Sequence, residues 1–152
     1  MQKTDEPTEG VSFVTADDIL PLRSKVLRNG MPEQDCRFVT DVMDGSFHLG
    51  FYEQGKLVSI SSWHRQKKEG YEGEGFQLRG MATDPDRRGK GYAAKVANFG
   101  LTFLRGKGVD YVWCNARKVA WPFYLSVGFE FISDEFEIEG IGPHKVMYIR
   151  IR

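Results

Sequence analysis

The chain is expected to fold as an α/β domain: a mixed sheet of six or seven strands with helices on both faces. Three features carry that expectation. Two alternating segments, FHLGFYE (47 to 53) and KLVSISSWHR (56 to 65), flank Gln54-Gly55 and read as a β-hairpin. Apolar side chains at Tyr92, Val96, Phe99 and Phe103 recur at helical spacing and stop at Gly106. The run YVWCN (111 to 115) then reads as a short, fully buried strand.

The remaining elements follow in order. The first ten residues, MQKTDEPTEG, are polar and acidic and read as a flexible lead, which leaves 11–152 as one domain. VSFV (11 to 14) is a short strand. Thr15 caps a helix over TADDILPLRSKVL, where Asp17 and Asp18 suit the positive end of the helix dipole. Residues 29 to 45 show no clear period and carry no assignment. QKKEGYEGEG is a charged loop, and FQLRGMAT (76 to 83) is the next strand. Gly80 within it signals a bulge or a close backbone approach. After YVWCN, a compact helix runs through WPFYLSV, with Pro122 in its first turn and Gly128 at its end. FEFIS and HKVMYIRI close the chain as strands. The order is β-α-β-β-β-α-β-α-β-β.

Bulk composition narrows the function. Of 152 residues, 21 are Lys or Arg and 21 are Asp or Glu, so the formal charge is zero. No basic excess drives affinity for a phosphate polymer, so nucleic acid is not the expected partner. No run of about 18 apolar residues occurs, so no membrane partner is expected either. The two cysteines, Cys36 and Cys114, lie far apart and suit a reducing compartment, which points to the cytoplasm.

TDPDRRGKGYAAKV (83 to 96) places two glycines one residue apart behind paired arginines. G-K-G-Y-A-A satisfies a relaxed dinucleotide fingerprint. Against that reading, Asp84 to Arg88 separate the glycines from their strand, and Asp110 precedes the strand it should close. A P-loop string is absent. Glycines serving only a turn are the bland alternative. The fuller reading is a strand, a basic loop and glycines opening a helix, where free N–H groups and the helix dipole meet an anion. Gly89 and Gly91 let a diphosphate approach the main chain without a Cβ in the way.

R-R-G-K-G-Y-A (87 to 93) resembles the R/Q-x-x-G-x-G/A signature of the GCN5-related N-acetyltransferases (GNAT), read from Arg88 to Ala93. LRGMATDP before it resembles that family's fourth strand. VWCNARKVAWPFYLSVGFE after it resembles the fifth strand and the helix with an F-Y-x-x-x-G-F ending. GIGPHKVM (140 to 147) is similar to a G-I-P-H-x-x-M ending, here with Gly142 inserted.

The resemblance implies a GNAT-like sheet splayed between strands 4 and 5, with acetyl-CoA as co-substrate in the gap and no metal. It implies that Met81, Ala82 and Thr83 pair with the pantetheine arm and that Arg88, Gly89, Lys90, Gly91, Tyr92 and Ala93 hold the pyrophosphate. A main-chain N–H near Met81 would polarise the thioester carbonyl. Asn115 matches a position that contacts the cofactor; a turn or helix cap is its plainer role. Tyr124 matches the general acid, and by residue type alone it would simply pack between helix and sheet. His144 is the candidate base, with an ordinary packed histidine as the alternative. His48 and His64 rank below it.

Glu135, Glu137 and Glu139 form a stripe that would attract a cation or merely face solvent. Arg79 either pairs with a carboxylate of the 66–75 loop or shapes the acceptor site. The implied function is acetyl transfer to a primary amine by direct attack, the acceptor being a small molecule or a peptide. The alternative is a CoA-binding sensor of the same fold without turnover. Homodimers are common in the family, but no segment specifies an interface.

Overall fold

The computed structural model describes residues 9–152. Its strands are β1 (Glu9–Val14), β2 (Phe47–Glu53), β3 (Lys56–Arg65), β4 (Gly75–Thr83), β5 (Tyr111–Arg117), β6 (Glu130–Phe131), β7 (Phe136–Ile138) and β8 (Gly142–Arg150). Its helices are α1 (Leu20–Leu22), α2 (Tyr92–Gly106) and α3 (Trp121–Val127). The strands form one sheet in the order β1-β2-β3-β4-β5-β8-β6, with β7 also on β8. Among the described residues, no helix is long and apolar enough to cross a membrane.

The hairpin forms as its alternation demands. Gln54 and Gly55 both take positive φ, 49° and 80°, the twist that matches a two-residue turn to its strands. β7 makes the sheet eight-stranded rather than six or seven. At three residues it is too short to show a period, and only its pairing with β8, from Phe136–His144 to Ile138–Gly142, defines it. The lead expected over residues 1–10 falls outside the described residues as far as Thr8. Glu9 and Gly10 belong to β1, opposite Glu53 and Tyr52.

The helix expected over 15–27 is shorter than its pattern. Thr15 and Asp18 do form a reciprocal cap: the Thr15 N–H donates to Asp18 Oδ2 at 3.0 Å, and the Asp18 N–H to Thr15 Oγ1 at 3.1 Å. Pro21 has no N–H and fits only a first helical turn, so regular α structure starts at Leu20. It widens into a π turn over Arg23–Leu27.

The unassigned stretch holds two 3-10 turns, Glu33–Cys36 and Val39–Val42, gathered around one buried guanidinium. Arg23 Nη1 donates to the Cys36 carbonyl at 2.9 Å and to Asp41 Oδ2 at 2.7 Å. Its Nη2 reaches Asp41 Oδ1 at 3.0 Å and Ser62 Oγ at 2.8 Å.

Among the described residues three apolar clusters hold the layers, the smallest being Tyr111, Trp113, Val146 and Tyr148. Val96, Leu101 and Leu104 of α2 and Tyr124 of α3 pack with Leu49, Val58, Trp63 and Leu78 of the sheet. Ile19, Leu20 and Leu22 pack with Cys36, Ile60 and Ala82.

Candidate active site

β4 and β5 run parallel but pair only at Gly75–Tyr111, Phe76–Val112 and Gln77–Trp113. Beyond Gln77 they part, while β5 stays zipped to β8 as far as Arg117. The opposite edge of β4 is also disturbed. Its register on β3 jumps from Ser62–Arg79 to Ile60–Ala82, and Gly80 takes φ +61° there. Gly80 is thus the bulge its sequence position signals. Neither Gly80 nor Met81 has a register partner on β3 or β5, so main-chain groups are available to a ligand in the gap.

A cavity of about 560 Å³ opens there. Met81, Ala82, Thr83 and the whole run Arg88–Ala93 line it, so nine of the ten expected binding residues share one wall system. Gly89 and Gly91 have φ of +79° and +80°, and a Cβ built on either would meet nothing within 4 Å. Both therefore suit the left-handed loop and leave its outer surface bare. α2 starts at Tyr92, and its first amide groups precede the first helical hydrogen bond, Lys95 N–H to the Gly91 carbonyl at 3.1 Å. Free N–H groups and the helix dipole thus face the same space. These features fit a diphosphate-bearing group such as that of coenzyme A.

One residue that holds this wall from behind escaped the sequence. Glu53, at the end of β2, accepts hydrogen bonds from the Tyr92 hydroxyl, Arg87 Nε and, at 3.2 Å, Lys90 Nζ. The Tyr92 bond, with Arg87 and Lys90 behind it, outweighs burial and holds the carboxyl down at about 2. Two of the loop's cations are therefore already neutralised. Arg88 keeps no carboxylate partner among the described residues and remains the loop's free positive side chain. No local pattern could reveal this, because Glu53 lies on a distant hairpin.

Tyr124 of α3 is buried and lines both this cavity and a second one of about 220 Å³. Its ring lies edge-on between Phe123 and Phe129, with centroids 5.2 Å away in each case. It therefore packs between two rings and also borders the gap. Burial, then the neighbouring Cys114 thiol, pushes the pKa of its hydroxyl well above the ordinary 10.0. Burial also pushes the Cys114 thiol up, so no thiolate forms at neutral pH.

The second cavity is lined by His144, Asn115, Gln77, Arg79, Arg28 and Phe38, among others, and shares Leu27, Met81, Arg117, Ala120 and Tyr124 with the first. His144 Nδ1 lies 2.8 Å from the Gly142 carbonyl. A carbonyl only accepts, so Nδ1 carries the proton and Nε2 of the neutral ring holds the lone pair. The ring stacks on Phe136 with centroids 5.9 Å apart. Asn115 is exposed and sits on this side, with His144, rather than beside the glycine loop.

The lesser candidates resolve into structure. His48 Nε2 donates to the Asp41 carbonyl at 2.9 Å and its Nδ1 meets Ser62 Oγ at 2.7 Å, within the Arg23 network. His64 is buried, and burial pushes its pKa down. Glu135, Glu137 and Glu139 are exposed and line neither cavity; Glu135 pairs with Lys118 at 3.8 Å.

A parallel strand pair thus opens beside a glycine loop at a helix start, and two adjoining cavities share Tyr124. Residues 25–149 match the family model described as an acetyltransferase (GNAT) domain. The chain is 34% identical over 143 residues to the uncharacterized N-acetyltransferase YitI of Bacillus subtilis, covering 93% of this chain and 96% of that one. The fold is shared with FeeM, an N-acyl amino acid synthase from uncultured soil microbes (TM-score 0.76, 13% identity, 96% of this chain and 92% of that one). It is shared too with YhbS of Escherichia coli in complex with CoA (TM-score 0.69, 17% identity, 99% and 86%). The chain belongs to the GNAT family of N-acetyltransferases.

Proposed function

We propose that this chain, as one transferase domain, moves the acetyl group of acetyl-CoA to a primary amine by direct attack. One observation carries the reading: the cavity of the glycine loop and the cavity of His144 meet at Met81 and Tyr124, where β4 and β5 part. Acetyl-CoA supplies an acetyl group already activated as a thioester. Arg88 to Ala93 would hold its diphosphate through main-chain N–H groups, and Met81 to Thr83 would pair with the pantetheine amides.

The chain's own groups meet two proton demands. An alkylammonium (pKa about 10) has no lone pair, and His144 Nε2, the free nitrogen of the neutral ring, can take its proton. The departing thiolate needs a proton, and Tyr124, held protonated by burial, keeps one to give. A free N–H at Met81 would stabilise the oxyanion between those events. Cys114 is buried and its thiol is held up, which favours direct attack over an acetyl-enzyme. The free, buried cysteines also suit a reducing cytoplasm.

Thiol release from acetyl-CoA across a panel of amines tests the reading. Turnover is expected for wild type, with kcat reduced about 10²- to 10⁴-fold in Tyr124→Phe and CoA affinity retained. Equal turnover in the two proteins would remove Tyr124 from the acid role. CoA binding without turnover in either would favour the sensor of the same fold.

A further inference from the structure

The second cavity has a charge pattern that the transfer reading does not require. Three arginines border it, Arg28, Arg79 and Arg117, the last shared with the first cavity, and no Asp or Glu does. None of the three has a carboxylate partner among the described residues. Arg28 contacts Met31 Sδ at 3.8 Å, Arg117 donates to the Leu27 carbonyl at 3.3 Å, and Arg79 reaches only Thr40 Oγ1 at 3.5 Å.

Arg79 is the most telling of them. The 66–75 loop does not satisfy it, because Glu74 pairs with Arg65 at 3.1 Å. Asp41 is nearby, but both its oxygens are taken by Arg23. Phe38 lies between the two arginines, with Arg23 Cζ 3.8 Å and Arg79 Cζ 4.0 Å from its ring centroid. Phe38 therefore fixes the plane of the Arg79 fork on the cavity wall. Burial, then the charges of Arg23 and Arg28, weigh against the Arg79 cation, so an anion there would relieve them. A half-buried, oriented and unpaired guanidinium is built to take a planar or tetrahedral anion by two hydrogen bonds.

We infer that the acceptor carries an anionic group, carboxylate or phosphate, besides its amine, and that Arg79, supported by Arg28, selects for it. The inference rests on the transfer reading for the amine and on the cavity's charge for the anion. A bare polycation is disfavoured on the same ground, since three arginines and no carboxylate border the cavity.

The test uses matched pairs on the full chain: phenylalanine against phenylethylamine, ornithine against putrescine, and phosphoethanolamine against ethanolamine. The first two pairs probe carboxylate and the third phosphate. Each is read by thiol release from acetyl-CoA and by calorimetric binding to CoA-loaded protein. An anionic member is expected to win in both readouts. Arg79→Gln should cut its kcat/KM and affinity by about ten- to a hundredfold, Arg79→Lys by less, with CoA affinity unchanged in both.

Equal or better response to the amines without an anion overturns the inference. So does a loss of CoA affinity in Arg79→Gln, which would place the arginine on the donor instead. Anion-selective, Arg79-dependent binding without thiol release would leave this site standing and overturn the transfer reading.

Discussion

The Tyr124 hydroxyl and the Cys114 thiol are neighbours, bringing α3 against the middle of β5. Tyr124 lines both cavities, and burial keeps both groups protonated. In this arrangement the phenol is a proton reserve and the thiol is inert.

A thiol reagent provides the check. Cys36 is fully buried and Cys114 is 2% exposed, so the folded protein should label at neither cysteine on the timescale of a free thiol. Both should react once denaturant unfolds the chain. Rapid modification of Cys114 in the native state, with loss of turnover, would revive a covalent route.

The Glu53 cluster makes the loop's stability depend on acid. The carboxyl is drawn from its ordinary 4.5 to about 2, first by the Tyr92 hydroxyl and then by Arg87 and Lys90 against the opposing effect of burial. The folded chain thus binds this proton more weakly than the unfolded one. The resulting stabilisation is complete above pH 4.5 and drains away as pH falls toward about 2. Thermal unfolding followed across that window should show a steeper fall for wild type than for Glu53→Gln. Parallel slopes would mean that the cluster contributes nothing.

Arg23 and Asp41 hold the residues between α1 and β2 in place. The Arg23 side chain is fully buried and that of Asp41 is 3% exposed. Burial would raise the Asp41 pKa, but hydrogen bonds from Arg23 and the Phe38 N–H bring it below its ordinary value. Removing one partner leaves a buried charge uncompensated, so Asp41→Ala should cost about 3–5 kcal/mol in denaturant unfolding. A loss below 1 kcal/mol, on the scale of about 0–1 for an exposed pair, would contradict the buried network.

What could be seen in the linear chain is what depends on near neighbours. The hairpin turn, α2 and its glycine start, the bulge at Gly80 and the stop at Gly128 each follow from a local period or a local φ. The residues that the GNAT-like motifs named as cofactor-binding candidates, Asn115 excepted, line the cavity beside the gap. Less was visible where partners come from afar. Residues 29–45 have no period because a guanidinium from Arg23 organises them, and β7 exists only through β8.

Order along the chain therefore decided the elements and the position of the glycine loop, since backbone geometry and side-chain alternation act within a few residues. Charge balance was settled only on folding. Glu53 silences Arg87 and Lys90 from the β2 hairpin, while Asp41 serves Arg23 and leaves Arg79 unpaired. Coulomb and desolvation effects depend on distance and burial, and neither exists until the strands have come together.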